Sequence, residues 1–183
     1  MLMHHIVMLL TFTIANTTNM TQLYTFLNQT NAREWRIVND GVMGGVSKSS
    51  LVLTDAGHGK FAGHVSLANN GGFASIQMNT SIKLSEEMKF IVLRVKGDKK
   101  RYEFRMKGDV GQAESYVQQF VTSGEWQTFK LAIADFYPQF RGRQLNVPNF
   151  NFKSIEQMSF LIANKQEEDF DLLIDWIGVE KYE

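Results

Sequence analysis

The sequence predicts a single all-β domain of the sandwich or barrel class. Beyond residue 30, apolar and polar residues alternate with a period of two in most segments, which is typical of strands with one buried face. Turn signals rich in Gly, Asn and Asp separate these segments at intervals of about 8–12 residues. A chain of 183 residues is about one domain long, and no Pro-rich or Gly/Ser-rich linker divides its sequence.

Three of the predicted strands lie in the first part of the chain. The first is Leu23–Leu27. Phe90–Val95 is a more continuous apolar run, which indicates a strand buried on both faces. Arg101–Lys107 alternates without a break, so its apolar side chains are expected to share one face: Tyr102, Phe104 and Met106.

The second part of the chain continues the same pattern. Trp126–Ile133 alternates again, with Phe129, Leu131 and Ile133 on one side. Phe170–Trp176 predicts one apolar face and one acidic face, with Phe170, Leu172, Ile174 and Trp176 opposite Asp171 and Asp175. Only the segments around Ile82–Glu87 and Ile155–Met158 have a pattern that would hold a helical turn.

Composition limits the chemistry that this chain can carry. Hydrophobic residues make up 44% and aromatic residues 12%, which is enough for a sizeable core. The 19 Lys and Arg balance the 19 Asp and Glu, so no basic footprint for nucleic acid exists at the level of the whole chain. The absence of Cys from the sequence excludes disulfides, thiol nucleophiles and thiolate metal sites.

The N-terminal residues 1–19 form an apolar segment separate from the predicted domain at 20–183. Its apolar run, Ile6–Ala15, is too short for a membrane-spanning helix, which needs about 20 apolar residues. A signal peptide fits the length, but no Lys or Arg precedes the run. The alternative is a start at Met20. We therefore expect a cytoplasmic protein if Met20 is the start and an exported one if residues 1–19 act as a signal, and we favour the first.

The motifs of the common catalytic sites are missing from the sequence. Neither a phosphate-binding loop nor a G-x-S-x-G elbow is present, and Gly57–Gly63 has the wrong spacing for a dinucleotide site. His58 and His64 are six residues apart on a predicted strand and are expected to lie too far apart to share a metal ion. We expect no catalytic residue, no metal and no cofactor.

An acidic group lies at the start of the last predicted strand. Asp169, Asp171 and Asp175 supply carboxylates of the kind that hold calcium in many β-sandwich modules. A solvated acidic turn leading into a strand is the alternative, and it is the interpretation that we favour.

The most unusual stretch of the sequence is Trp35–Ser47. Within it, Asn39-Asp40-Gly41 is turn chemistry, and Gly44-Gly45 follows an apolar pair that ends at Met43. Glycine at such points indicates left-handed backbone or a close approach of chains. The stretch is therefore expected to hold a defined shape, either for a ligand or for a tight crossing between strands.

Two later stretches have a similar character. Asn70-Gly71-Gly72 leads into Phe73-Ala74-Ser75, and Arg141 and Arg143 flank a glycine beside three aromatic residues. Guanidinium groups suit the recognition of carboxylates or phosphates, and aromatic rings stack on sugar or peptide faces. Both Arg side chains are equally suited to bonding the carbonyl groups of a long loop.

Taken in order, these residues resemble the complex I intermediate-associated protein 30 family. The Asp-Gly-Val-Met-Gly-Gly-Val-Ser run carries the resemblance, together with Asn-Gly-Gly-Phe-Ala-Ser, Arg-Gly-Arg and the closing Ile-Asp-Trp-Ile, over about residues 23–182. The resemblance implies a galactose-binding-like β-sandwich of jelly-roll type. Nine residues match motif positions and are carried over as candidate binding or structural residues: Asp40, Met43, Gly44, Gly45, Asn70, Gly71, Gly72, Arg141 and Arg143.

The resemblance also implies a function. Mitochondrial relatives assist assembly of respiratory complex I by binding its intermediates rather than by catalysis, and this chain has the form of a compact bacterial member. We therefore expect a non-enzymatic protein-binding module of the assembly-chaperone kind, with a protein partner, no nucleic acid and no membrane span. The alternative is a carbohydrate- or small-ligand-binding module, with Trp126, Tyr137, Phe140 and Arg141 as candidate contacts.

Overall fold

The computed structural model describes residues 19–26 and 32–181 and confirms the all-β jelly-roll sandwich. Thirteen strands in the described residues form two antiparallel sheets. The strands are β1 Met20–Thr25, β2 Arg36–Ile37, β3 Lys48–Leu53, β4 Gly59–Val65, β5 Ala74–Lys83, β6 Met88–Gly97, β7 Arg101–Lys107, β8 Ser115–Val121, β9 Gln127–Ala132, β10 Tyr137–Phe140, β11 Arg143–Gln144, β12 Ser154–Ile162 and β13 Glu168–Lys181.

The two sheets differ in how they are assembled around their longest strands. The six-stranded sheet has the order β3-β4-β13-β6-β9, and β1 pairs with the second half of β13 next to β4. The seven-stranded sheet has the order β11-β10-β8-β7-β12-β5-β2. Strands that are distant in sequence therefore lie side by side, so each sheet presents one outward face built from many parts of the chain.

The core lies between the two sheets and is rich in aromatic side chains. Phe160 of β12 is at its centre, with ring centroids 5.1 Å from Phe104 and 5.9 Å from Trp35. Tyr102, Phe104 and Met106 are all buried on one face of β7, which confirms the alternation in the sequence. Burial of such rings contributes about 25 cal/mol for each Å² of apolar surface removed from water.

A β-bulge in β13 changes the predicted apolar face of that strand. Phe170, Leu172 and Ile174 are buried as expected, but the pairing with β6 shifts between Ile174 and Trp176. The extra residue reverses the alternation, so Ile177 continues the core face and Trp176 does not. The prediction that Trp176 shares the face of Ile174 was therefore wrong.

The predicted helical turn at Ile155–Met158 was wrong, and Ile82–Glu87 begins as strand and forms a hydrogen-bonded turn only at its end, where the Met88 amide donates to the Ser85 carbonyl oxygen at 3.1 Å. Ile82 and Ile155 lie in β5 and β12 and face each other as register partners in the seven-stranded sheet. The short 3-10 turns of the described residues lie at Asp40–Met43, Ala68–Asn70 and Ile133–Asp135 instead. Long-range pairing of β-branched residues decides the conformation here, and a local pattern in sequence does not contain that information.

The N-terminal end of the sandwich begins at β1. Residues 1–18 and Leu27 lie outside the described residues, so the predicted N-terminal segment stays a prediction. Within the described part of the chain, no helix has the length and apolar character needed to cross a membrane.

Candidate functional site: a cleft on the seven-stranded sheet

The carboxylate of Asp40 joins two loops at one end of the sandwich. Asp40 is fully buried, and the amide of Ser47 donates to its Oδ1 at 3.0 Å. The Ser47 hydroxyl donates to Oδ2, which also accepts the amides of Gly72 at 2.7 Å and Phe73 at 3.3 Å. The loop between β2 and β3 is thereby fixed to the loop between β4 and β5.

These bonds determine the ionisation of the carboxylate. Burial opposes the charged form of Asp40, but the Ser47 hydroxyl and the amides of Gly72, Ser47 and Phe73 outweigh it. Together they hold the pKa of Asp40 below its ordinary value. A buried anion is stable at this place because four hydrogen-bond donors face its two oxygen atoms.

Two glycines of the motifs make room for this carboxylate. A Cβ at Gly45 would collide with the side chain of Asp40. A Cβ at Gly71 would come within 2.6 Å of Asp40 Oδ2 and 2.7 Å of the Ser66 carbonyl oxygen. Close packing around a buried anion is therefore the physical reason for glycine at these two positions.

The same two loops present apolar side chains to solvent. Val42 is 72% exposed and Met43 is 52% exposed, just before Gly44 ends the 3-10 turn in left-handed conformation at φ 92°. Leu67 of the second loop is also exposed. Large apolar side chains held outward on a fixed loop are typical of a surface that a partner covers.

These side chains form part of the rim of a cleft with a volume of about 940 Å³. The cleft lies over the outward face of the seven-stranded sheet. The pairing of neighbouring strands places the floor residues in rows. In one row, Ser159 of β12 pairs with Gln77 of β5 on one side and with Arg105 of β7 on the other. Leu161 of β12 lies between Ser75 and Glu103 in the neighbouring row.

The centre of the floor is a hydrogen-bonded network on β7 and its neighbours. Glu103 Oε2 accepts two bonds from Arg105, from Nε at 2.8 Å and Nη2 at 2.5 Å. Glu103 Oε1 accepts from Gln119 at 3.0 Å, and Arg105 also donates to Gln139 at 2.7 Å. The floor is thus a connected layer of amide and guanidinium groups, which can donate to and accept from a polar ligand.

The far rim of the cleft is the β10–β11 hairpin. Phe140 pairs with Arg143, and the two residues between them, Arg141 and Gly142, both have positive φ, at 48° and 74°. This is the geometry of a type I′ turn, in which Asn-Gly is the favoured pair. The guanidinium of Arg141 lies 5.2 Å from the centroid of the Phe140 ring. A bulky cation therefore occupies a position that the local backbone does not favour.

The structure separates the nine candidate residues into three groups. Met43, Gly71, Gly72 and Arg141 line the cleft. Asp40, Gly44, Gly45 and Asn70 belong to the loops behind its rim, and Arg143 lies on β11 outside it. Whether these residues bind a ligand stays a prediction.

Sequence reasoning missed the floor of the cleft. The polar residues of β7, from Arg101 through Glu103 and Arg105 to Lys107, line it together with glutamines from four other strands: Gln77, Gln119, Gln139 and Gln157. The sequence signal for this floor was the alternation of Arg101–Lys107. From the alternation alone, its polar face is expected to be exposed to solvent, because the sequence does not show which strands lie beside it.

The aromatic residues suggested for a sugar ligand are divided between the two sheets. Phe140 lines the cleft, but Trp126 contacts His58 and Arg94 on the six-stranded sheet. Tyr137 is partly buried in β10 and does not line the cleft. These side chains therefore do not form one stacking platform.

The acidic face of β13 is occupied by ion pairs. Asp169 lies 2.8 Å from His64, Asp171 lies 2.7 Å from Lys60, and Asp175 lies 2.9 Å from Arg94. Among residues 19–26 and 32–181, no group of three His, Cys, Asp or Glu is placed to hold a metal ion. Each of these carboxylates thus contacts a different side chain of a neighbouring strand.

Comparison with known proteins identifies the family. The family model "Complex I intermediate-associated protein 30 (CIA30)" matches residues 24–174. The chain belongs to this family. The match includes both loops that Asp40 joins and the β10–β11 hairpin, so the cleft rim lies within the family's common region. A search of curated proteins gives no significant match.

The fold of this CIA30 family member is shared with carbohydrate-binding modules. The family 11 module of the cellulosomal cellulase Lic26A-Cel5E of Clostridium thermocellum has a TM-score of 0.65 at 15% identity, over 91% of this chain and 97% of that one. A second structure of that family, in complex with a β-1,3-1,4-mixed-linked tetrasaccharide, has a TM-score of 0.64 at 14% identity, over 88% and 95%. The agarase AgWH50C matches at 0.60 and 13% identity, over 90% of this chain and 25% of its own.

Proposed function

We propose that this CIA30 family protein is a non-enzymatic binding module that holds an extended segment of a partner protein in the cleft of the seven-stranded sheet. The observation that carries the proposal is the combination of a polar, hydrogen-bonding floor with an exposed apolar rim. Protein interfaces combine the same two features, with apolar anchors beside satisfied polar groups. Assembly of a respiratory complex, the role for which the family is named, is the setting that we propose for this binding.

The state of the cleft carboxylate supports a binding role over a catalytic one. Glu103 is buried and accepts three hydrogen bonds from Arg105 and Gln119. These donors occupy both of its carboxylate oxygen atoms. A general acid or base needs an oxygen within hydrogen-bond reach of the substrate, and both oxygens of Glu103 are already bonded within the protein.

A photo-crosslinking experiment tests this proposal. A benzoylphenylalanine placed at Gln119 on the cleft floor is expected to form a covalent adduct with one protein from a native membrane extract. The matched control carries the same residue at Thr128, which is exposed on the outward face of the six-stranded sheet. An adduct from Gln119 that peptide mapping locates in one segment of one partner supports the proposal. Equal adducts from both positions would contradict it.

Binding of a glycan is the second candidate function. The fold likeness to carbohydrate-binding modules favours it, as do the side-chain amides of Gln77, Gln119 and Gln157, because amides bond readily to sugar hydroxyl groups. Titration with the β-1,3-1,4-mixed-linked tetrasaccharide, followed by NMR shifts of these glutamine side chains, distinguishes the two functions. Saturable shifts would support the glycan, and unchanged spectra at millimolar sugar would count against it.

A further inference from the structure

The two outward faces of the sandwich carry charge in different ways. On the six-stranded sheet, cations are neutralised by carboxylates across the strands, in the pairs Lys60–Asp171, Arg94–Asp175 and Lys130–Glu180. Among the described residues that line the cleft, six side chains are cationic and one, Glu103, is a carboxylate, while Glu114 and Asp109 lie near Lys107 without lining the cleft. A chain with a net charge of zero thus concentrates positive charge over one of its two faces.

The single cleft carboxylate is already paired. Its partner is Arg105, so the two charges cancel. The other five cations make no ion pair within the described part of the chain: Arg36, Arg101, Lys107, Arg141 and Lys165. Unpaired positive charge on the walls of a cleft focuses the local potential and attracts anions.

The cations are grouped at the two ends of β7. Arg101 begins the strand and bonds Asn164, the neighbour of Lys165 in sequence. Lys107 ends the strand, on the side of the cleft that contains Arg36. At about 3.3 Å per residue, the two ends of β7 are roughly 20 Å apart. A ligand that reaches both groups must be extended over that distance.

Lys107 is a partly buried cation that lies close to Arg36. Burial lowers the pKa of its amine; the charge of Glu114 opposes this, Arg36 lowers the pKa further, and Asp109 raises it. Its Nζ donates to the carbonyl oxygen of Gln112 at 2.7 Å, a neutral partner. A carboxylate arriving in the cleft would stabilise both cations and add charge-assisted hydrogen bonds.

On the basis of the proposed function, we infer that the partner segment held in the cleft is an acidic peptide, extended over about six residues, whose carboxylates reach both ends of β7. The apolar rim favours a peptide over other anionic polymers, because Val42, Met43 and Leu67 match apolar side chains that an acidic glycan lacks. Single-stranded nucleic acid is held by aromatic side chains on which its bases stack. In the part of the chain that the structure describes, the aromatic residues lining the cleft are Phe73 and Phe140, and the glutamine-rich floor adds no further ring for stacking.

Fluorescence anisotropy with the full chain tests this inference. The probe is a labelled peptide of about ten residues in which Glu alternates with Ser and Val, and the matched probe has Gln in place of each Glu. The acidic peptide is expected to bind, and the Gln peptide about tenfold more weakly. Raising the salt concentration is expected to weaken only the first. Equal binding of the two peptides would overturn the inference.

Paired variants of equal charge locate the effect. The double variant R36Q/R101Q removes two unpaired cleft cations, whereas K60Q/K130Q removes two paired cations from the other sheet. We expect the first to weaken acidic-peptide binding about tenfold and the second to leave it within about twofold. Melting temperatures check that both variants are folded. An equal loss in the two variants would overturn the inference.

The outcomes separate this inference from the proposed function. A partner segment crosslinked at Gln119 that contains no Asp or Glu would overturn the inference and leave the proposed function standing. Polygalacturonate and oligothymidylate are the competing anionic ligands. If either one binds more tightly than the acidic peptide, and this binding is lost in R36Q/R101Q, the inference that the ligand is an acidic peptide is overturned. If Gln119 then also crosslinks no protein, the proposed function fails with it.

Discussion

The amide of Gly72 donates a hydrogen bond to Oδ2 of Asp40 over 2.7 Å, and this bond joins two loops 32 residues apart in sequence. It fixes the position of Met43 and Leu67 on the rim of the cleft, since each belongs to one of the two loops. The motif around Asp40 thus places its hydrogen-bonded carboxylate behind the cleft and its exposed apolar side chains, such as Met43, on the cleft rim.

Replacing Asp40 with Ala is expected to lower the free energy of unfolding by about 3 kcal/mol, because buried amides of three residues lose a charged acceptor. Those amides belong to Ser47, Gly72 and Phe73. Urea unfolding at neutral pH measures the loss. Asp55→Ala is the matched control, since Asp55 is exposed in a turn, and it is expected to change stability by less than about 0.5 kcal/mol. Equal losses in the two variants would contradict the role assigned to Asp40.

The stabilisation by Asp40 is expected to depend on pH in one direction. Its folded pKa lies below the ordinary value of about 4, so the folded state binds the proton less readily than the unfolded state does. The stabilisation is therefore complete above about pH 4 and is lost as the pH falls through the folded pKa. The difference in unfolding free energy between wild type and Asp40→Asn should stay constant from about pH 7 to pH 5 and shrink below about pH 4. A difference unchanged at pH 3 would contradict this.

The packing of Gly45 against Asp40 is expected to appear as coupling between the two positions. Gly45→Ala alone should be destabilising by about 1–3 kcal/mol, because its Cβ would collide with the Asp40 side chain. In the Asp40→Ala background, the colliding atoms are gone, and the same change should be close to neutral. A double-mutant cycle of unfolding free energies measures the coupling. Additive effects would show that something other than Asp40 requires glycine at position 45.

Much of the fold could be predicted from the sequence, because alternation is a local property. Tyr102, Phe104 and Met106 share a buried face as their spacing indicates. The bulge before Trp176 could not be predicted, since it depends on the pairing of β13 with β6. Ile82 and Ile155 were misassigned for the same reason: each is a strand residue because of the other.

The candidate site could be predicted only at its rim. Turn chemistry and glycine pairs mark Met43, Gly72 and Arg141 in the sequence. The floor depends on strand order, which places Gln77 and Arg105 in one row although they are 28 residues apart. A neutral whole-chain charge also concealed the cationic cleft, because a sum over the sequence does not show which cations are paired, as Lys60 is with Asp171, and which line the cleft without an ion pair, as Arg101 does.

Replacing Arg141 with Asn is expected to separate stability from binding. The variant creates Asn-Gly, the favoured pair of a type I′ turn, and relieves a bulky residue held at φ 48°. Within the described chain, Arg141 makes no hydrogen bond or ion pair that the change would remove; the interaction lost is its cation–π contact with the ring of Phe140. The free energy of unfolding should therefore be unchanged or rise by about 0.5–1 kcal/mol.

The same Arg141 variant should bind the acidic peptide about tenfold more weakly, because the rim loses an unpaired cation. Arg143→Asn is the matched control: it removes the same charge two residues away, on β11 outside the cleft, and is expected to leave binding within about twofold. Anisotropy titrations of both variants, with melting curves recorded on the same samples, give the comparison. If Arg141→Asn lost stability and kept binding, Arg141 would serve its own hairpin rather than a ligand.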